Sequence, residues 1–172
     1  MPMRLVPAGL HGLPLLLATA GALATGVSTA PAARPPLRAE YVDAASYLTG
    51  DADIEAWYTL VDRLRRNFDD VCGDTFCEGD YANIQSLSYR CSVEKHSGVI
   101  GRCVWVFAGS VEEIDPERGR VLVDARHWRC RSPLARPTRI QDLLAALSGP
   151  RPLHAPLPGT GRSLYDGLVD CL

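Results

Sequence analysis

The sequence predicts an α+β domain reinforced by disulfides. Three observations carry that reading. The apolar period runs at three to four residues, changes to two in mid-chain, and returns to three to four near the end. Proline and glycine clusters separate these stretches. All six cysteines, Cys72, Cys77, Cys91, Cys103, Cys130 and Cys171, lie beyond an apolar N-terminal run.

That run comes first in the chain. Arg4 is followed by "LVPAGLHGLPLLLATAGALA" without a charge and then by small residues. A basic start, an apolar run and a small-residue exit are the marks of a secretory signal peptide, expected over residues 1–24 with cleavage after Ala24. Its most apolar part, Leu13 to Ala24, falls short of the roughly 20 residues that span a bilayer, so no stable membrane span is expected after processing. Residues 25–40, rich in proline and alanine, read as a flexible leader. The remaining 41–172 is expected to form a single α+β domain, long enough to bury a core of its own.

Within that domain, "EYVDAASYLTGD" suggests a short helix ending near Gly50. An amphipathic helix is expected from Asp53 to Asp70, its stripe formed by Ile54, Trp57, Tyr58, Val61, Leu64 and Phe68. Asp51 is placed to cap it, and Asp53 and Glu55 suit the positive end of its dipole. A loop with Cys72 and Cys77 follows. In "LSYRCSV", Leu87, Tyr89, Cys91 and Val93 alternate with polar residues, as in a half-buried strand. "RCVWVFAGSV" is apolar on both faces and reads as a central strand. "RVLVDARHWRCR" follows a "DPERG" turn as the third strand of an antiparallel meander. Two short helices are expected after it. "TRIQDLLAALSG" would be capped by Thr138 and stopped by Gly149, and "SLYDGLVDCL" would be capped by Ser163.

Export favours disulfides over free thiols. Placing Cys91 opposite Cys103 brings Tyr89 against Trp105 and Leu87 against Phe107, and centres the turn at Ser97–Gly98. Cys72 and Cys77 are loop neighbours, which leaves Cys130 for Cys171. In the chain-entropy picture the long bridge stabilises by about 4 kcal/mol and the short one by about 2 kcal/mol.

Other chemistry has less support. The Cys72–Cys77 spacing is not that of a thioredoxin-like pair, and no second Cys/His pair completes a zinc site. Asp69, Asp70, Asp74, Glu78 and Asp80 put five carboxylates within twelve residues. These are weak calcium candidates, because their spacing does not match an EF-hand loop. His127 near Asp124 is a weak catalytic candidate, since residues three apart on a strand point to opposite faces. No cofactor motif is present.

Charge is segregated. Residues 40–80 carry eleven acids and three arginines, whereas Arg126, Arg129, Arg131, Arg136 and Arg139 stand together with no acid between Arg126 and Arg139. Such a cluster suits an anionic envelope component or an acidic protein. The net charge of −2 argues against nucleic acid. The leading expectation is an exported, secreted or periplasmic binding or interaction domain without catalytic activity, inhibitor-like or an envelope accessory factor. A small secreted hydrolase with its site near His127, and an apolar-ligand carrier enclosing Tyr89, Trp105 and Phe107, are the alternatives.

Overall fold

The computed structural model describes residues 39–172 except 80 and 82; the expected signal peptide and most of the leader lie outside the described residues. Three disulfides staple an α+β arrangement with a four-stranded antiparallel sheet in the order β1-β2-β3-β4. The strands are β1 (Tyr41–Asp43), β2 (Gln85–Glu94), β3 (Ile100–Asp115) and β4 (Arg120–Arg131). The helices are α1 (Ala44–Tyr47), α2 (Asp51–Val71), α3 (Ile140–Ala146) and α4 (Leu164–Val169). Among the described residues no helix is long and apolar enough to cross a membrane.

The expected three-stranded meander is therefore a four-stranded sheet. β1 occupies part of the segment read as a short helix, pairing Val42 with Val93 before Asp43 caps α1 through Ala45 N–H. Three residues are too few to display a strand period. α2 starts at Asp51, after Gly50 at the cap position, so Asp51 lies within the first turn. A π-helical turn, Cys72–Phe76, carries the chain on from α2.

The buried side of α2 is Trp57, Leu60, Leu64 and Phe68. Leu60 belongs to the stripe, whereas Tyr58 is 60% exposed. This side packs on Tyr89, Trp105 and Phe107. The Phe68 ring lies 4.6 Å from Phe107 and 5.9 Å from Trp105, and Trp57 stacks 6.0 Å from Tyr89. Polar tips within this layer find partners: Trp105 Nε1–H donates to Ser86 Oγ at 2.8 Å, and Tyr89 Oη lies 3.1 Å from Ser132 Oγ.

The β2–β3 ladder aligns Cys91 with Cys103 and Tyr89 with Trp105. Phe107 faces Ser86 rather than Leu87, because an irregularity between Ser86 and Ser88 turns Leu87 out to 59% exposure. Disulfides join Cys72–Cys77, Cys91–Cys103 and Cys130–Cys171. The β2–β3 turn uses Gly98 at φ +72°, and a Cβ there would meet Tyr47 Oη at 2.7 Å. Arg139, not Thr138, is the cap residue of α3; Thr138 instead donates its hydroxyl to Ala135 O. Ile140 N–H donates to Gly98 O, which fixes α3 against the β2–β3 turn. α4 has a full capping box between Ser163 and Asp166.

Two measurements follow from this core. Phe68→Ala removes a fully buried ring and is expected to cost about 3–5 kcal/mol in urea unfolding. Tyr58→Ala, on the exposed side of the same helix, is expected to change stability by about 0.5 kcal/mol or less. Burial pushes the Tyr89 phenol up to about 12, against a smaller opposing effect of its Ser132 hydrogen bond. The unfolded chain ionises this phenol near its ordinary value of 10.0, so the contribution is full below that pH and falls as pH rises toward 12. Urea midpoints compared at pH 9 and about pH 11 should fall less for Tyr89→Phe than for the wild type.

Candidate functional site: the uncovered face of the sheet

Strand alternation sorts every sheet residue to one of two faces. Tyr89, Cys91, Val93, Cys103, Trp105, Phe107, Trp128 and Cys130 are buried toward the core. The alternate residues, including Ser88, Arg90, Val104, Val106, Ala108, His127, Arg129 and Arg131, share the opposite face, where register places them side by side.

On that face Val104, Val106 and Ala108 form a half-buried floor in the middle of the sheet. Arginines ring it. Register brings Arg131 beside Val104, Arg129 beside Val106 and Arg90 on the other side of Val104. Arg102 precedes the Cys91–Cys103 pair, and Arg136 reaches the same surface, where it lines a shallow depression with Tyr41, Ser92, Gly101 and Arg102. Arg90 is ion-paired: its Nε donates to Asp43 Oδ2 at 2.8 Å. Among the described residues, no carboxylate pairs with Arg102, Arg129, Arg131 or Arg136.

The arginines grouped by sequence are thus divided by the fold. Arg129 and Arg131 stand on the uncovered face of β4, and Arg136 lies by Arg102 on the same surface. Arg126 stands on the opposite face, its guanidinium 5.3 Å from the centre of the Trp128 ring. Arg139 sits at the start of α3, bridged through its backbone to Val99. Sequence reasoning missed Arg90 and Arg102. Their signal was available in the alternation: Arg90 lies between inward Tyr89 and Cys91, and Arg102 next to inward Cys103.

His127 is exposed on the uncovered face opposite Ala108. Asp124 projects from the other face, where its Oδ2 accepts the Tyr81 hydroxyl at 2.6 Å. The structure does not bring the two together. Tyr89, Trp105 and Phe107 are buried, packed against α2 and one another. Asp69 and Asp70 are exposed near the end of α2 and Glu78 is exposed after the cysteine loop. Among the described residues no three metal-ligating groups converge; the Asp74 side chain and Asp80 lie outside the description.

Beyond Ala108 the sheet narrows. β2 ends opposite that residue, so Gly109–Asp115 and Arg120–Arg126 continue as a two-stranded ribbon. Asn83 takes the place of the missing strand at its root, accepting Ser110 N–H through Oδ1 at 2.7 Å and donating to Ser110 Oγ at 2.9 Å. The ribbon's turn is closed by Asp115, whose carboxylate is held below the usual range by Arg118 N–H, Arg120 and Glu117 N–H. Ile114, Val121, Leu122 and Val123 are all exposed on this ribbon. A groove of about 430 Å³ runs along its core-side face between Tyr81, Val111, Glu113, Leu122, Val123 and Asp124.

No family model, curated protein or solved structure matches this chain.

Proposed function

We propose that this chain is an exported, disulfide-reinforced binding module that holds an anionic polymer of the cell envelope on the uncovered face of its sheet. The observation that carries the reading is the set Arg102, Arg129, Arg131 and Arg136, which lacks carboxylate partners among the described residues; Arg129 and Arg131 flank the Val104–Val106 floor, and Arg102 and Arg136 line a depression on the same face. Guanidinium groups recognise carboxylate, sulfate and phosphate through paired N–H donors, and a shallow surface suits a repeating chain better than a small molecule. Rigidity supports the same reading. The face is the back of a layer whose front is stapled at Cys91–Cys103 and packed on α2, so its cations are set out before binding. Neither the hydrolase nor the carrier reading has a comparable observation behind it.

Binding to an acidic polysaccharide and to polyglutamate, measured by titration at rising salt, tests the proposal and separates a glycan from an acidic protein as the anion's source. The combined Arg102→Ala, Arg131→Ala and Arg136→Ala variant should bind about tenfold more weakly or worse, with a shallower salt dependence. Arg65→Ala, an exposed arginine of the helical layer, should bind as the wild type does. Equal affinity of the triple variant and the wild type for both polymers would remove the proposal.

A further inference from the structure

We propose that two copies of this chain form a two-fold dimer by antiparallel pairing of β4 with β4, in the register centred on Ala125. The inference stands on the sheet edge and does not depend on what the basic face binds.

Among the described residues β4 is the last strand of the sheet, and its outer edge has no neighbouring strand. The direction of its backbone groups follows from one hydrogen bond. Ser132 N–H donates to Cys103 O at 3.1 Å, so that pair is of the hydrogen-bonded kind. The β3–β4 ladder then runs without a shift from Val104↔Arg131 to Asp115↔Arg120. Alternation therefore turns the N–H and C=O groups of Val121, Val123, Ala125, His127, Arg129 and Arg131 away from β3. α4 crowds the last of these, since a Cβ on Gly167 would lie 3.2 Å from Arg131 O. The open run is Val121 to Arg129. It contains no proline or bulge, two of the devices that blunt an edge, and its charges at Asp124 and Arg126 are of opposite sign. Val121 and Val123 lie on it at 61% and 62% exposure.

Charge selects the register. Centring the pair on Ala125 sets Asp124 of each copy against Arg126 of the other, twice by symmetry. Centring on Asp124 would oppose that carboxylate to itself, and centring on Arg126 would oppose two guanidiniums. With Ala125 at the centre, the outward residues meet one another: Ala125 with Ala125, Val123 with His127, and Val121 with Arg129. About ten backbone hydrogen bonds would form. On the core-side face, Leu122 would gain Trp128 of the second copy as its cross-strand neighbour, and the tip ribbon of each copy would be supported along its length. An edge-to-edge two-fold axis stands perpendicular to the sheet, so both uncovered faces come to the same side of one eight-stranded sheet.

Sedimentation velocity of the oxidised chain, from micromolar to sub-millimolar concentration, should show a monomer–dimer equilibrium. Asp124→Arg and Arg126→Asp each place like charges across the seam twice, and each should raise the dissociation constant about tenfold or more. Mixed in equal amounts, the two variants should recover a dimer, because each then supplies the charge the other lacks. Ala125→Pro, which removes a central outward N–H, should be monomeric, with its far-ultraviolet dichroism unchanged. Without any variant, amide exchange at Val121, Val123, Ala125, His127 and Arg129 should slow as concentration rises. A wild type that stays monomeric with concentration-independent exchange at these amides overturns the proposal. So does a dimer in which charge reversal has no effect or whose mixed variants fail to associate.

Discussion

Among the described residues the sheet is covered on one face only, and the seam between that face and α2 is what the rest of the structure depends on. Phe68 sits between Trp105 and Phe107, with Tyr89 and Trp57 extending the contact along the helix. Once these rings are inside, the period of two leaves no freedom to the residues between them. Arg90, Arg102, Arg129 and Arg131 must face solvent because Tyr89, Cys91, Cys103, Trp128 and Cys130 do not. The uncovered basic face is therefore a consequence of aromatic burial, and a one-residue slip in β2 or β4 would bury guanidiniums and expose rings.

That logic also marks what was legible in the letters. α2 could be read because its apolar side repeats over many turns, although Tyr58 was assigned to it and Leu60 was not. Positions 57, 60, 64 and 68 define the buried line, and position 58 lies about 100° away from 57 around the axis. The β2–β3 register could be read around Cys91 and Cys103 because cysteine, aromatic and turn residues agreed there. It failed at Leu87, where a local irregularity shifts the pairing by one, a backbone event with no side-chain signature. β1 was illegible because three residues show no period. The arginines were read as neighbours in sequence, while a strand sends neighbours to opposite faces. Arg126 has the parity of Trp128 and Cys130, so its separation from Arg129 and Arg131 could have been read from alternation alone.

The ribbon was harder to foresee. Its residues look like any strand pair, and what distinguishes them is the length of a third strand. β2 is 10 residues long and β3 is 16, so one end of β3 has to run on without a second neighbour. A two-stranded ribbon is weak by itself. Here its root is fixed by Asn83 on Ser110 and by the Tyr81–Asp124 hydrogen bond, and its turn by Asp115. Those contacts order the ribbon without covering Ile114, Val121 or Val123.

The cross-links complete a division of labour along the sheet. Cys91–Cys103 ties the central strands beneath the helix, and Cys130–Cys171 anchors the end of the chain to the end of β4. The second bridge, closing a separation of 41 residues, also sets α4 beside Arg131 and so limits the open edge to the stretch before it. Stabilising contacts are thereby concentrated where the layers overlap, and the exposed valines and open backbone groups are concentrated where they do not. The charges that select a pairing register, Asp124 and Arg126, flank the midpoint of the open edge, and the cations of the uncovered face lie closer to the stapled end. Recognition of an anion and association of copies would thus draw on stretches of the same strand that meet at Arg129, both set in position by the aromatic seam on the far side of the sheet.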